Sequence, residues 1–218
     1  MKKVCLMLMA VLLTATAFSQ SEKYIKAMEG LVPGVDTTRS PAQLLELSNS
    51  FERIADAEKN QWLPYYYAAV TRISYGLFSA DLSDIMTPKT DKIDPVVSKA
   101  KELLAKAEAL SKDNSEIYVA KKMMYGLSML GDVMNRYMTD GAEATKALLT
   151  AKQLNPENPR VYIQEGIDLY NTPEEYGGSK AEGKKKMELA KQKFETFKPE
   201  SSIHPAWGMP TVQYYLNQ

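Results

Sequence analysis

The sequence predicts an all-α chain of stacked helical hairpins, and three observations predict it. The segments 100–118 and 144–162 carry one pattern 44 positions apart (144 − 100 = 44): Ala100, Leu104, Ala107, Leu110, Asn114 and Tyr118 recur as Ala144, Leu148, Ala151, Leu154, Asn158 and Tyr162. A self-similar helical unit of a few tens of residues cannot bury its apolar face alone and does so by stacking on its neighbours. Helix-start signals recur along the chain. Alternating apolar and polar runs of strand length are absent.

The first segment reads as an export signal. Met1-Lys2-Lys3 is its basic start, Val4 to Leu13 its apolar run, and Ala17 and Ser19 the small residues before a cleavage between Ser19 and Gln20. The apolar run falls short of the roughly 17–25 residues of a membrane-spanning helix, and no long apolar segment follows it. Removing 1–19 from 218 residues leaves 199, read as one domain over 20–218. The single cysteine, Cys5, leaves with the signal, so the exported chain holds together by packing without disulfides. Lys2 and Lys3 also leave, so 25 of the 27 basic residues face 27 acidic ones. That balance offers no basic excess for phosphate contacts and excludes a nucleic-acid reader.

Helices are expected near 22–30, 41–58, 63–79, 95–111, 115–136, 140–154, 159–170, 179–197 and 210–217. Ser40-Pro41-Ala42-Gln43 offers a hydroxyl cap, a proline pre-set for the first helical position and a glutamine for a capping box. Asp94-Pro95 and Asn158-Pro159 repeat the cap-then-proline arrangement, and Ser179-Lys180-Ala181-Glu182 is a further capping box. The stretches 30–41 and 81–94 read as connectors. In Asn171–Gly178, Thr172-Pro173-Glu174-Glu175 forms a single capped turn that Gly177-Gly178 ends.

Ala144, Leu148, Ala151, Leu154 and Pro156, followed by Tyr162 and Gly166, resemble the tetratricopeptide repeats in residue type and spacing. In the earlier copy Lys112 stands for the proline and Lys122 for the glycine, and Ala55 with Tyr66 and Phe197-Lys198-Pro199 are weaker echoes. The resemblance implies a right-handed α-α superhelix of about three to four irregular hairpins with terminal capping helices. It also implies that 63–79, 115–136 and 159–170 line a concave inner face.

Nothing in the sequence predicts catalysis. His204 is the only histidine and reads, with Trp207, as part of a loop capping the array's end; an enzyme would need it facing a cleft beside a polar side chain. No clustered metal ligands and no glycine-rich phosphate loop occur, so neither metal nor cofactor is expected. Lys184-Lys185-Lys186 reads as a solvated helix face.

The inner helices are rich in tyrosine and methionine. Tyr66, Tyr118 and Tyr162 occupy the shared repeat position and are expected in the core. Neighbours on a helix diverge by about 100°, so Tyr65, Tyr67, Met124, Tyr125 and Tyr170 are the expected lining of a binding groove. The function this implies is an exported adaptor, periplasmic or secreted, that holds an envelope protein or peptide. The alternative is a carrier whose inner helices close on a small apolar or saccharide ligand.

Overall fold

The computed structural model describes residues 22–218, so the expected leader, Cys5 and the Ser19–Gln20 junction lie outside the described residues. Helix α1 covers 22–29, followed by α2 (Gly34–Thr37), α3 (Pro41–Glu58), α4 (Trp62–Ser79), α5 (Thr90–Leu110) and α6 (Ser115–Gly131). Then come α7 (Val133–Arg136), α8 (Asp140–Leu154), α9 (Pro159–Asn171), a 3-10 turn (Glu174–Tyr176), α10 (Lys180–Thr196) and α11 (Met209–Leu216). Among the described residues there is no strand.

From α3 to α11 the long helices pack in chain order, each on the next. In addition α4 packs on α6, and α6 on α9. That makes α4, α6 and α9 one inner layer, with α5, α8 and α10 behind it. The 44-residue repeat is real at the level of hydrogen bonds. Asn114 caps α6 by accepting from the Glu116 amide at 2.9 Å, and Asn158 caps α9 by accepting from the Arg160 amide at 3.0 Å. Ser115 then ties the units together, donating to the Ala151 carbonyl at 2.8 Å and accepting from Asn158 Nδ2 at 3.0 Å. At Gly166 an added Cβ would stand 2.8 Å from Met187 Cε and 3.1 Å from the Gly183 carbonyl, so only glycine lets α9 and α10 approach this closely.

Two apolar clusters fill the array. The larger holds Phe51, Tyr66, Tyr67, Ile73, Ile93, Leu103, Ile117 and Leu127; the smaller holds Val119, Val161, Ile163, Met187 and Val212. Helix α6 serves both, with Ile117, Ala120 and Leu127 in one and Val119 in the other.

Several boundaries differ from expectation. Helix α5 begins at Thr90, with Pro95 inside it, because Asp94 is engaged elsewhere: Arg136 donates to its two oxygens at 2.6 and 2.9 Å. The Lys89 amide also donates to the Gly131 carbonyl at 2.7 Å, which pins an extra turn ahead of the proline. The expected helix 115–136 breaks at Asp132, an extended residue whose carboxylate accepts from Asn135. Ser40 makes no side-chain cap, leaving Pro41 as the working start signal. The connector 30–41 contains α2. Gly177 ends the 3-10 turn at φ 90°, a left-handed position that favours glycine.

Candidate functional site

The N-terminal turns of α4 and α9 on the inner face are covered. After α10 the chain crosses them as a strap, roughly 197–208, back toward the N-terminal helices. Tyr67 Oη donates to the Ile203 carbonyl at 2.9 Å, Trp207 Nε1 donates to Tyr66 Oη at 3.0 Å, and Arg160 donates to the Trp207 carbonyl at 3.2 Å. Beyond the inner helices, Ser202 donates to Glu29 at 2.6 Å and the Gly208 amide to Asp36 at 2.8 Å. Gly208 stands at φ 120°, with Ile163 Cδ1 2.6 Å from where a Cβ would sit, so this turn requires glycine.

Beneath the strap lies a buried charge network. Arg160, with 0% of its side chain exposed, grips Glu116 through Nε at 2.7 Å and a terminal nitrogen at 2.5 Å. These two residues sit 44 apart, at the same phase of the repeat, so neighbouring units are cross-linked by matched opposite charges. Tyr66 Oη adds a donor to Glu116 at 3.1 Å, and the Arg160 guanidinium lies 4.8 Å from the Phe197 ring centre. Burial works against the Arg160 charge, but Glu116 more than offsets it and raises the pKa further. Burial, reinforced by the Glu116 charge, pushes the Tyr66 hydroxyl well above its ordinary range. Burial likewise raises the Asp36 carboxyl, against the hydrogen bond from Gly208.

Two clefts open beside the strap, at the end of the array where the short loops lie. The first, of about 380 Å³, is walled by Leu154, Phe197 and Pro205, and its remaining lining is mostly polar, with Lys112 and Lys198 beside the carboxylates of Asp113, Glu116 and Glu200. The second, of about 390 Å³, is bounded by Tyr24, Ile25, Glu58 and Leu63. Trp62 and His204 line both, their rings edge-on with centres 6.0 Å apart. His204 Nδ1 lies 2.8 Å from Ser201 Oγ, and Nε2 lies 3.2 Å from Glu200. These are the groups of a nucleophile, base and carboxylate, yet all fall within five residues of one turn. Glu200 is 86% exposed, so water screens any orienting effect on the imidazole. The Ser201–His204 bond reads as turn chemistry.

The expected groove residues fall elsewhere. Tyr65, Tyr67 and Met124 are buried in the larger core, which corrects their placement on an open face. A divergence of about 100° between neighbours exposes one of them only where the helix has a solvent side. The first half of α4 has none, because α3, α5, α6 and the strap surround it and every residue from Leu63 to Thr71 is buried. Tyr125 is half-buried against the same core, and Tyr170 is half-buried with its ring centre 5.0 Å from that of Tyr215. None of the five lines either cleft. Of the expected core tyrosines, Tyr66 and Tyr162 are buried, while Tyr118 stays partly exposed under Lys121. Sequence reasoning missed Trp62, Glu116 and Arg160. The available signal was opposite charge at one repeat phase.

No family model matches this chain, and no curated protein matches it. Among solved structures it is similar to the HusA haemophore from Porphyromonas gingivalis, with 28% identity and a TM-score of 0.74 over 88% of this chain and 90% of that one.

Proposed function

We propose that this chain is an exported carrier of a tetrapyrrole-class ligand, held at the clefts that share Trp62 and His204. The observation that carries this reading is the likeness to a haemophore across nearly the whole of both chains. The site chemistry supports it. A flat macrocycle with carboxylate arms needs an aromatic wall, apolar side chains and cations at the rim. Trp62 and Phe197, Leu154 and Pro205, and Lys112 and Lys198 are of those types, although Asp113, Glu116 and Glu200 share the lining and leave the two lysines as the groups for the ligand's carboxylates. The hairpins act as a tetratricopeptide-like scaffold that holds the strap and the cleft walls at fixed positions. Among the described residues no helix is long and apolar enough to cross a membrane.

Titration with haemin and with metal-free protoporphyrin IX tests the reading. Trp62 lines both clefts and Trp207 lies in the strap beside them, so binding should quench tryptophan fluorescence and perturb the porphyrin absorbance together. Trp62→Ala should weaken both signals with the fold intact. Absence of quenching and of any absorbance change with either ligand would reject the carrier.

The adaptor reading keeps one specific support. Met134, Tyr137 and Met138 are exposed at the opposite end of the array, a surface suited to a protein contact. The strap covers the first turns of the inner helices, where it bonds Tyr66, Tyr67 and Arg160, so an envelope protein would dock at the far end instead.

A further inference from the structure

We infer that the far end of the array is a docking face for a basic amphipathic protein segment, which lays its apolar side on Ile85, Met86, Met134, Tyr137 and Met138 and its lysines or arginines against the carboxylates around them. This rests on the docking reading given above for that end and names the partner's chemistry. It is independent of the carrier reading.

Apolar side chains scattered singly over a surface need no partner, whereas a contiguous group of them marks a contact site. These five come from two connectors, 80–89 and 132–139, that the fold ties together. The Lys89 amide, at the end of the first connector, donates to the Gly131 carbonyl at 2.7 Å, and Arg136 in the second donates to both oxygens of Asp94 on α5. All five are exposed, from 43% at Ile85 to 79% at Met138. Three are methionines, whose unbranched thioether chains adapt to the shape of what they meet.

Charge then selects the occupant. Residues 80–94 and 132–143 hold seven Asp or Glu against three Lys or Arg. Two of those cations are engaged within the end itself: Arg136 on Asp94, and Lys89 Nζ on the Asp84 and Thr87 carbonyls. Asp81 and Asp84 are exposed, and hydrogen bonds from the Ser83 and Thr87 hydroxyls hold their carboxyls below the usual carboxylate range, so both stay charged. A second copy docked on the same face would bring this acidic rim against itself. An anionic lipid surface would be repelled in the same way. A segment with one apolar side and flanking cations covers the methionines and answers the rim at once.

Full-length exported chain is titrated, by fluorescence anisotropy, with two labelled amphipathic peptides of one apolar pattern, one of leucine and lysine and one of leucine and glutamate. The expected result is that the lysine peptide binds and the glutamate peptide does not. Binding should weaken as salt approaches about 1 M, where the Debye length falls to about 3 Å. Met134→Ser, Tyr137→Ser and Met138→Ser together should lower lysine-peptide affinity by about tenfold or more, with helicity unchanged. Asp91→Asn with Glu143→Gln should lower it by about threefold at low salt. Equal binding of the two peptides, or binding of neither, by the wild-type chain overturns the inference even if the serine variant misfolds. Undiminished capture of the lysine peptide by a folded serine variant moves the contact off this end and overturns it too. Preference for the glutamate peptide overturns the partner's chemistry while the docking reading stands. A wild-type dimer, or co-sedimentation with phosphatidylglycerol vesicles, that the serine variant loses gives the face to a second copy or to lipid and likewise overturns the inference.

Discussion

The two ends of the helical array are built on opposite plans. At one end the short loops preceding α4, α6 and α9 meet the strap, and there lie the Asn114 and Asn158 caps, the Arg160–Glu116 pair and both clefts. At the other, longer connectors after the same three helices leave Ile85, Met86, Met134, Tyr137, Met138 and Tyr176 in solvent. Apart from the Tyr24 hydroxyl, polar groups are buried and satisfied at the first end, and apolar groups are exposed at the second. The pairing inverts the usual division of inside and outside. The first end is fixed by caps, a buried ion pair and the strap, while the second is pinned at a few points, Arg136 on Asp94 and the Lys89 amide on the Gly131 carbonyl, between exposed apolar side chains.

The largest expected effect breaks the anchored end. Arg160→Ala leaves the Glu116 carboxylate buried with Tyr66 as its remaining donor, and should cost about 3–5 kcal/mol in urea unfolding. Replacing both partners, as Glu116→Leu with Arg160→Met, should cost less than the single change, because no unpaired charge remains. An Arg160→Ala cost no greater than that of a surface substitution would show that the strap end is not the anchored one.

Alkaline titration sharpens the same point. Burial raises the hydroxyl pKa of both Tyr66 and Tyr67 above the ordinary 10.0. The folded state therefore favours the neutral phenols. Their contribution is fully present below pH 10 and is lost as pH climbs from there toward the folded-state values. Each such tyrosine should lose about 1.4 kcal/mol per pH unit in that window. A Tyr66→Phe, Tyr67→Phe chain should show a flatter profile in stability measured from pH 9 to 11. An identical slope would mean that these hydroxyls are not shielded by the strap.

The asymmetry between the ends also explains what could be read from the sequence. The hairpin order, the Asn158-Pro159 start and the glycine contact at Gly166 follow from local rules: capping, proline placement and the volume available at a crossing. The helix start at Thr90 was hidden because Asp94, which looks like a cap, is claimed by Arg136 far along the chain. The groove tyrosines were misplaced for a related reason. Helical phase says which way Tyr67 points relative to Tyr66, but not that the strap would arrive to cover that side. The juxtaposition of Trp62 and His204 joins residues more than a hundred positions apart, which no local pattern encodes.

A smaller effect is expected at Tyr24, on the wall of the second cleft. Its hydroxyl is buried without a hydrogen-bond partner, and burial raises its pKa. An unsatisfied buried hydroxyl is a net cost, so Tyr24→Phe should stabilise the ligand-free chain by about 1 kcal/mol. A loss of stability would mean that this hydroxyl is satisfied in solution and that the cleft wall is more polar than its side chains indicate.

The smallest effect is expected at the far end. Met134, Tyr137 and Met138 are 70%, 60% and 79% exposed, so little of their surface leaves water on folding. Serine at each should change unfolding free energy by no more than about 0.5 kcal/mol, and tetrapyrrole titrations should be unaltered, because the clefts lie at the other end of the same helices. A drop of several times that size would place these side chains in packing contacts and erase the contrast between the ends. Unchanged stability with weakened capture of a cognate envelope protein would instead assign this end to docking, leaving ligand recognition to the strap.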